Sequence, residues 1–163
     1  VYDIDRIEVV LDTQELQLNL YRQFDDQPHI VHFKLYYPGD PLPLSDVLPV
    51  LENMGLRAIS ENPYEVRVAG AEQSVWIHDY ELHSCDQRTL QVEAIKSEFQ
   101  EAFIKIWAQE LENDGFNSLI VYAGIKWRDV VVLRLYAKYL RQLGVSSSQN
   151  YMEEVLGEML MLQ

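Results

Sequence analysis

Four potential metal ligands lie close together in one stretch of the sequence: His78, Asp79, His83 and Cys85. Structural zinc usually requires paired ligands at a regular spacing. If this stretch is a β-strand, His78 and His83 are an odd number of residues apart and point to opposite faces of the sheet. The same objection applies to His29 and His32. The sequence therefore predicts no metal site.

Motifs for nucleotide binding and for covalent catalysis are missing from the sequence. The seven glycines are scattered, and none follows a strand in a GxGxxG or Walker pattern. Neither GxSxG nor HExxH occurs. Cys85 precedes a predicted helix whose N-terminus could activate a thiol, but no accompanying motif marks it as a nucleophile. An ordinary cysteine at an element boundary is the favoured interpretation, and we predict no catalytic residue.

Charge and composition limit the class of partner. The chain has 163 residues, of which 48% are hydrophobic, and its 13 basic and 26 acidic side chains give a formal net charge of -13. Such a charge repels nucleic acid and anionic membrane surfaces. No apolar run is long enough to span a bilayer, no leader is recognisable, and one cysteine cannot form an internal disulfide. We expect a cytoplasmic protein that binds neither nucleic acid nor a membrane.

The two ends of the sequence suggest a piece of a longer protein. The chain starts at Val1 and stops just after the apolar run EMLML. A helical stripe so close to a terminus is expected to be covered by something, or to dimerise when exposed. The stripe consists of Val155, Leu156, Met159, Leu160 and Leu162.

The first half of the sequence has the two-residue period of β-strands. Apolar residues alternate in LQLNLYR (16–22), IVHFKLYY (30–37) and VWIHDYEL (75–82). The stretches FDDQP (24–28) and AGAEQS (69–74) have the residues that reversals need. We therefore predict hairpins at both places.

A short helix interrupts the strands at LSDVLPVLENMG and leads directly into another strand, LRAIS. Ser45 is the predicted N-cap, and Asp46 suits the positive end of the helix dipole. Pro49 is then the fourth helical residue and removes only the first intrahelical bond. Gly55 supplies the left-handed residue that ends the helix. We expect the apolar face of this helix to pack on the sheet.

After Cys85 the period changes to 3.6 residues, and four helices are predicted. Their sequences are TLQVEAIKSEFQEAFIKIWAQELENDG, closing on Asp114 and Gly115; NSLIVYAG, ended by Gly124; KWRDVVVLRLYAKYLRQLG, ended by Gly144; and SSSQNYMEEVLGEMLML, which begins with serines able to cap.

The order of elements predicts an α+β fold, a ferredoxin-like antiparallel sheet with packed helices followed by an all-helical C-terminal segment. The order strand–helix–strand–strand–helix is most of the βαββαβ sandwich, with its closing strand missing. We expect the leading strand, residues 16–22, to occupy the edge where that closing strand lies. DIDRIEVVLD, ahead of it, fits a helical turn or a strand. The predicted division is 1–88 for the sandwich, and 89–163 for the long helix completing it plus a helical extension.

The helix that ends at Gly144 concentrates basic residues in an acidic chain. Arg134, Lys138 and Arg141 follow an i, i+4, i+7 spacing and share a face. Two interpretations stay open, a solvated basic face near a helix C-terminus or a docking interface for an acidic partner. The opposite side is predicted to be core, with Trp127, Val131, Leu135, Tyr139 and Leu143.

Two long runs resemble a known family. They are PLSDVLPVLENMGLRAISENPYEVR together with VWIHDYEL, and FNSLIVYAGIKWRDVVVLRLYAKYLRQLGVSSSQNYMEEVL. They resemble the very large NAD-specific glutamate dehydrogenases of bacteria, over nearly the whole chain from about Asp3. The resemblance implies a place in the long N-terminal region ahead of the catalytic core. That region contains an ACT-like domain, a ferredoxin-like module often used to sense small molecules, followed by a helical part.

The resemblance also implies what the chain does not contain. The lysine-bearing glutamate pocket and the Rossmann segment for NAD belong to the downstream core of the family. We expect the parent enzyme to oxidise L-glutamate with NAD to 2-oxoglutarate and ammonia, and this piece to be non-catalytic and without a cofactor of its own. The expected partners are the remainder of the polypeptide and neighbouring subunits of a homo-oligomer.

The resemblance places a candidate effector site at the loop that enters the first helix after a strand, because ACT-like modules commonly bind amino acids near it. Here that loop is YPGDPLPLSD, in which Gly39 gives backbone freedom. The free amides of Asp46, Val47 and Leu48 at the helix start could receive the carboxylate of a small amino acid. The candidate residues are Gly39, Ser45, Asp46, Val47 and Leu48. The alternative is an architectural module that binds no ligand and braces subunits through Arg134, Lys138 and Arg141.

Overall fold

The structure is a computed structural model that describes residues 2–144 and 148–161. In chain order its elements are α1 (Tyr2–Thr13), β1 (Gln17–Tyr21), β2 (Ile30–Pro38), α2 (Leu44–Asn53), β3 (Leu56–Val66), β4 (Val75–Ser84), α3 (Val92–Trp107), a 3-10 turn (Gly115–Asn117), α4 (Ser118–Tyr122), α5 (Trp127–Gln142) and α6 (Gln149–Met161).

The chain forms two compact units. The sheet unit runs to Leu48 and resumes over Arg57–Val92, and the helical unit holds Pro49–Leu56 together with the chain from Glu93 onward. Helix α2 therefore spans the division. The division predicted between residues 88 and 89, with α3 completing the sandwich, stays a prediction.

The sheet has four antiparallel strands in the order β1-β2-β4-β3. Strand β1 pairs with β2, with Gln17 opposite Tyr36, and β2 pairs with β4, with Ile30 opposite His83. This is the strand order of a ferredoxin-like sandwich in which β1 occupies the edge of the closing strand. The predicted fold class and the predicted edge position of residues 16–22 are both confirmed.

The segment left open between helix and strand is helix α1. It packs on one face of the sheet through an apolar cluster whose members are Ile7, Val10, Tyr36, Val75 and Ile77. The carboxylate of Asp3 also accepts hydrogen bonds from the Tyr36 hydroxyl and from Lys34 Nζ, the latter at 3.0 Å. Burial by itself would raise the pKa of Asp3, but these two donors outweigh it and lower the pKa below its ordinary value. Helix α1 is therefore held by an ion pair as well as by apolar contacts.

Helix α2 begins two residues earlier than predicted. Because the helix starts at Leu44, Ser45 lies in the first turn and is not the N-cap, so that prediction is wrong. Pro49 is then the sixth helical residue, where the amide it lacks would otherwise bond within the helix. The apolar face is buried at Val47, Leu51 and Met54. Gly55 ends the helix with a φ of +81°, as predicted.

Helix α3 is shorter than predicted. It ends at Trp107, and the chain turns back through Gln109, whose φ is +60°. The amides of Glu110 and Leu111 both donate to the carbonyl of Lys105, which satisfies a carbonyl that the helix end leaves free. The predicted continuation to Asp114 is therefore wrong, because a polar turn closes the helix after its last buried apolar residue.

The remaining helices follow the predicted order. Gly124 and Gly144 adopt φ values of +63° and +84° at the predicted stops. Ser148 caps α6, its Oγ accepting from the amide of Tyr151 at 3.2 Å. In the predicted C-terminal stripe, Val155 and Leu156 are half-buried and Met159 is exposed, while the side chain of Leu160 and the whole of Leu162 lie outside the described residues. Within the described ranges, no helix combines the length and apolarity needed to cross a bilayer.

Candidate functional site

The loop between β2 and α2 is anchored at two points in the sheet unit. Gly39, with a φ of +86°, donates its amide to the carbonyl of Ser74 at 2.9 Å. Leu42, three residues on, donates its amide to Nε2 of His78 at 3.1 Å. The φ of Gly39 lies in the left-handed region, which side chains disfavour, so this turn selects glycine. The loop that was predicted to receive an effector is therefore a defined structure tied to β4.

His78 is the central residue of this anchor. Its side chain is 2% exposed, and its Nε2 accepts from Leu42, so its proton must reside on Nδ1. That Nδ1–H donates to the carboxylate of Glu61 at 2.7 Å, and the hydroxyl of Tyr80 approaches the same oxygen at 3.4 Å. Burial raises the pKa of Tyr80, and the charge of Glu61 raises it further, so the phenol stays a donor. The chain Leu42–His78–Glu61 links three segments of the sheet unit.

Neither histidine of β4 is placed as a metal ligand. His83 is partly exposed, and its Nε2 lies 2.8 Å from Glu81 Oε1. Among the described residues, no group of three or more His, Cys, Asp or Glu side chains is arranged to hold a metal ion. Cys85 is exposed at the end of β4. The role of His78 in the structure is therefore to anchor the loop.

Apart from Gly39, the predicted effector residues lie in the first half of α2, and the amide of Asp46, which was predicted to be free, is not. The amide of Asp46 donates to the carbonyl of Pro43 at 3.0 Å, and Ser45 Oγ donates to the Asp46 carboxylate at 3.2 Å. Val47 is buried and Leu48 half-buried, and both lie beyond the first free turn of the helix. By helix geometry, the first-turn amides left for a ligand are those of Leu44 and Ser45.

The three basic residues of α5 do not share one environment. Arg134 is 4% exposed, and its guanidinium donates to both carboxylate oxygens of Asp114 at 2.7 Å and to Asn117 Oδ1 at 2.9 Å. Lys138 instead pairs with Glu112 at the surface, and Arg141 is exposed. The prediction of one shared solvated face is therefore wrong for Arg134, which is a buried structural cation. The prediction failed because Asp114, twenty residues earlier in the chain, supplies the counter-charge.

The side of α5 that was predicted to be core is also largely exposed. Leu135, Tyr139 and Leu143 expose 61%, 57% and 62% of their surface, whereas the buried residues of the helix are Val130, Arg134 and Ala137. Helix α5 thus packs through a narrow row that contains a cation. On its broader apolar side, Leu135, Tyr139 and Leu143 are exposed in the described part of the chain.

Two family models match the chain. The glutamate dehydrogenase ACT3 domain matches residues 15–95, and glutamate dehydrogenase helical motif 3 matches residues 111–162. The first covers the sheet and the second covers the last helices.

Several NAD-specific glutamate dehydrogenases are similar to the chain. The protein of Halomonas elongata is 44% identical over 157 residues, that of Pseudomonas aeruginosa 35% over 156 residues, and that of Mycobacterium tuberculosis 34% over 161 residues. These alignments cover 95–96% of this chain but only 10% of each relative. Since both matched models describe one family and together take in most of the sequence, the chain belongs to the glutamate dehydrogenase family, as a stretch that comprises its ACT3 domain and helical motif 3.

Proposed function

We propose that the chain is a non-catalytic regulatory and assembly segment of a cytoplasmic, homo-oligomeric NAD-dependent glutamate dehydrogenase. The parent enzyme would convert L-glutamate and NAD to 2-oxoglutarate, ammonia and NADH, with NAD bound outside this segment. The observation that carries the proposal is the ferredoxin-like strand order within the residues that match the ACT3 model. Modules of this shape present a loop at the start of a helix where a small ligand can bind.

The candidate ligand is a small amino acid at Gly39, Ser45, Asp46, Val47 and Leu48. Its carboxylate would meet the first-turn amides of Leu44 and Ser45, where the helix dipole favours an anion. The carboxylate of Asp46 is exposed and would pair with the ammonium group of the same ligand. His78 supports the proposal indirectly, because it fixes the loop in one position before a ligand arrives.

A thermal-shift titration tests this proposal. Single amino acids, 2-oxoglutarate and NAD are titrated in turn into the chain and into the intact enzyme, and each increase in melting temperature is checked by calorimetry. We expect a saturable increase for one small amino acid, lost in Asp46→Asn and kept in the control Asp86→Asn, which alters an exposed aspartate away from the loop. A flat response to every compound in both preparations would contradict sensing.

The second candidate is a purely architectural role that requires no ligand. Two observations favour it: Asp40 and Asp46 make the loop acidic, and Arg141 is an exposed cation one turn from Lys138, which is about half exposed and pairs with Glu112. Reversing both charges, Lys138→Glu with Arg141→Glu, should then disturb the oligomer mass of the intact enzyme. Arg134 is left unchanged because its charge is used inside the helical unit. Unchanged mass and unchanged glutamate oxidation would contradict this role.

A further inference from the structure

The loop between β2 and α2 has a backbone amide between two prolines. Pro41 and Pro43 have no N–H, so Leu42 carries the single amide of residues 41–43. A residue that precedes a proline is restricted to an extended backbone, which leaves the loop few ways to turn this amide elsewhere. Leu42 is 8% exposed, so its amide requires a partner inside the protein. That partner is Nε2 of His78, at 3.1 Å.

The acceptor in this contact is also a group that binds protons. The lone pair of His78 that accepts the amide of Leu42 is the one that a second proton would occupy. Once that proton is bound, Nε2 becomes a donor, and two N–H groups face each other across the contact. The contact to Leu42 and the doubly protonated imidazole therefore exclude each other.

The surroundings of His78 favour the ring that carries both protons once the loop has left it. The carboxylate of Glu61 accepts from Nδ1–H at 2.7 Å, and its negative charge stabilises a positive ring. Among the described residues, Glu61 is the one charged group within hydrogen-bond distance of the imidazole. The other neighbours are the rings of Trp76 and Tyr80, with centroids at 6.2 Å and 6.3 Å, and Leu35 across the sheet. Burial and the charge of Glu61 raise the pKa of Tyr80, so the phenol adds no charge of its own.

We propose that His78 is a proton-dependent switch of the loop between β2 and α2. The neutral imidazole holds the amide of Leu42, and a proton taken from solvent at Nε2 releases it. The protonated ring then forms an ion pair with Glu61, while the freed amide binds water. Proton uptake and opening of the loop are linked, so a lower pH favours the open loop.

The position of the switch connects it to the entry of a helix. Helix α2 begins at Leu44, two residues after Leu42, so the release loosens the chain that enters this helix. No ligand, partner or second subunit takes part in the switch. It therefore goes beyond the proposed function and does not depend on it.

Hydrogen–deuterium exchange of the intact enzyme tests the switch. Because residues 41–43 contain one amide, overlapping peptides whose boundaries flank them report the exchange of Leu42 alone. The protection factor, corrected for chemical exchange, is measured at about pH 7.5 and about pH 5.5, within the range in which histidines change charge. An opening that takes up one proton changes at most about tenfold per pH unit, so we expect protection to fall about tenfold between these two values. Equal protection at both would overturn the proposal.

The amide of Gly39 is the control within the same loop. It donates to the carbonyl of Ser74 at 2.9 Å, and neither of these groups titrates. Its protection should stay constant while that of Leu42 falls. A parallel fall of both amides would overturn the proposal, because the contact to His78 would then not be the part that opens.

Two variants assign the effect to its groups. In His78→Gln the side-chain oxygen can accept from Leu42 but binds no proton in this pH range, so the pH response should be lost. In Glu61→Gln the new amide oxygen can still accept from Nδ1–H, but the charge that stabilises the protonated ring is gone, so the fall should be less than about threefold. This second variant decides the question if His78→Gln does not fold. A fall of about tenfold in either variant would overturn the proposal.

His83→Gln is the matched control for these variants. His83 lies on the same strand and also pairs with a carboxylate, that of Glu81 at 2.8 Å, but its side chain is 28% exposed. It is five residues from His78 and therefore on the opposite face of the sheet. This variant should keep the full pH response of Leu42. Loss of the response in His83→Gln would overturn its assignment to His78.

Discussion

Replacing Arg134 by methionine removes a cation that α5 carries into the interior of the helical unit. The guanidinium makes two hydrogen bonds of 2.7 Å to Asp114 and one of 2.9 Å to Asn117. Methionine keeps the unbranched apolar stem and a similar length, so the change removes the charge and its donors while leaving most of the packing. The carboxylate of Asp114 then stays in place without its cation.

The expected loss of stability follows from the burial of both partners. The side chains of Arg134 and Asp114 expose 4% and 15% of their surface. Removing one partner of a buried pair costs about 3–5 kcal/mol, because the other charge is left uncompensated. Asp114 keeps some contact with water and an amide of Gln149 at 3.4 Å, so we expect the lower end, about 3 kcal/mol. Adding Asp114→Asn should restore about 1–2 kcal/mol of the free energy of unfolding, because it removes the carboxylate charge that has lost its cation.

Urea unfolding followed by far-ultraviolet circular dichroism measures these differences. Lys138→Met is the matched control, since Lys138 lies one turn further along the same helix and pairs with Glu112 while both side chains are about half exposed. Its loss should stay below about 1 kcal/mol. The reasoning is refuted if Arg134→Met lowers the free energy of unfolding no more than Lys138→Met does. It is also refuted if adding Asp114→Asn to Arg134→Met lowers the free energy of unfolding further.

Three further predictions test the other contacts. In urea unfolding, Gly55→Ala should lower the free energy of unfolding by about 2–4 kcal/mol, because φ is +81° and an added Cβ would lie 2.9 Å from Cζ of Tyr122. The control Gly70→Ala has a similar φ of +88° but open space around the Cβ, so it should cost only about 1–2 kcal/mol. Equal losses would refute the packing argument. Nitrogen-15 spectra of His78 should show the Nδ1–H tautomer at neutral pH, and a proton on Nε2 would contradict the anchor. Because the pKa of Asp3 is lowered in the folded state, its contribution to stability is complete above the ordinary pKa of 3.8 and is lost as the pH falls through the lower folded pKa. In Asp3→Asn, the free energy of unfolding should therefore fall less steeply with decreasing pH than in the original chain. An unchanged pH dependence would count against the ion pair.

The sheet could be predicted because its strands carry their own pattern. Residues 30–37 and 75–82 alternate between apolar and polar side chains, and that alternation alone indicates which face is buried. Helix α1 could not be assigned in this way. Its buried residues are Ile7 and Val10, too few to establish a period, and their partners Val75 and Ile77 lie more than sixty residues away. Contacts between distant segments decided its structure.

Helix α5 shows where a correct secondary structure still gives a wrong orientation. Its bounds followed from periodicity, but two of its sides carry apolar residues, and the sequence does not indicate which one packs. The buried side contains Arg134, whose burial depends on Asp114, and Asp114 was predicted to lie within α3. The orientation of α5 could therefore not be predicted without knowing that α3 ends early, at Trp107, and leaves Asp114 free to pair with Arg134.

The loop anchor was only partly visible in the sequence. Alternation along β4 puts His78 on the same face as Tyr80 and Leu82, a signal of burial that was not used in predicting its role. A buried imidazole requires hydrogen-bond partners. Its partners are the amide of Leu42, 36 residues earlier, and the carboxylate of Glu61. No local sequence pattern predicts either partner.

The strand order also determines when the sheet can close during synthesis. Strand β4 is made last, yet it lies between β2 and β3, so a growing chain has all three other strands before the one that joins them. Until Ser84 has left the ribosome, the inner edges of β2 and β3 carry unpaired amides and carbonyls able to pair with another chain. Ribosomes translating one message would bring such edges close to each other. The insertion of β4 is therefore the step that pairs these two inner edges and ends their exposure to misassembly.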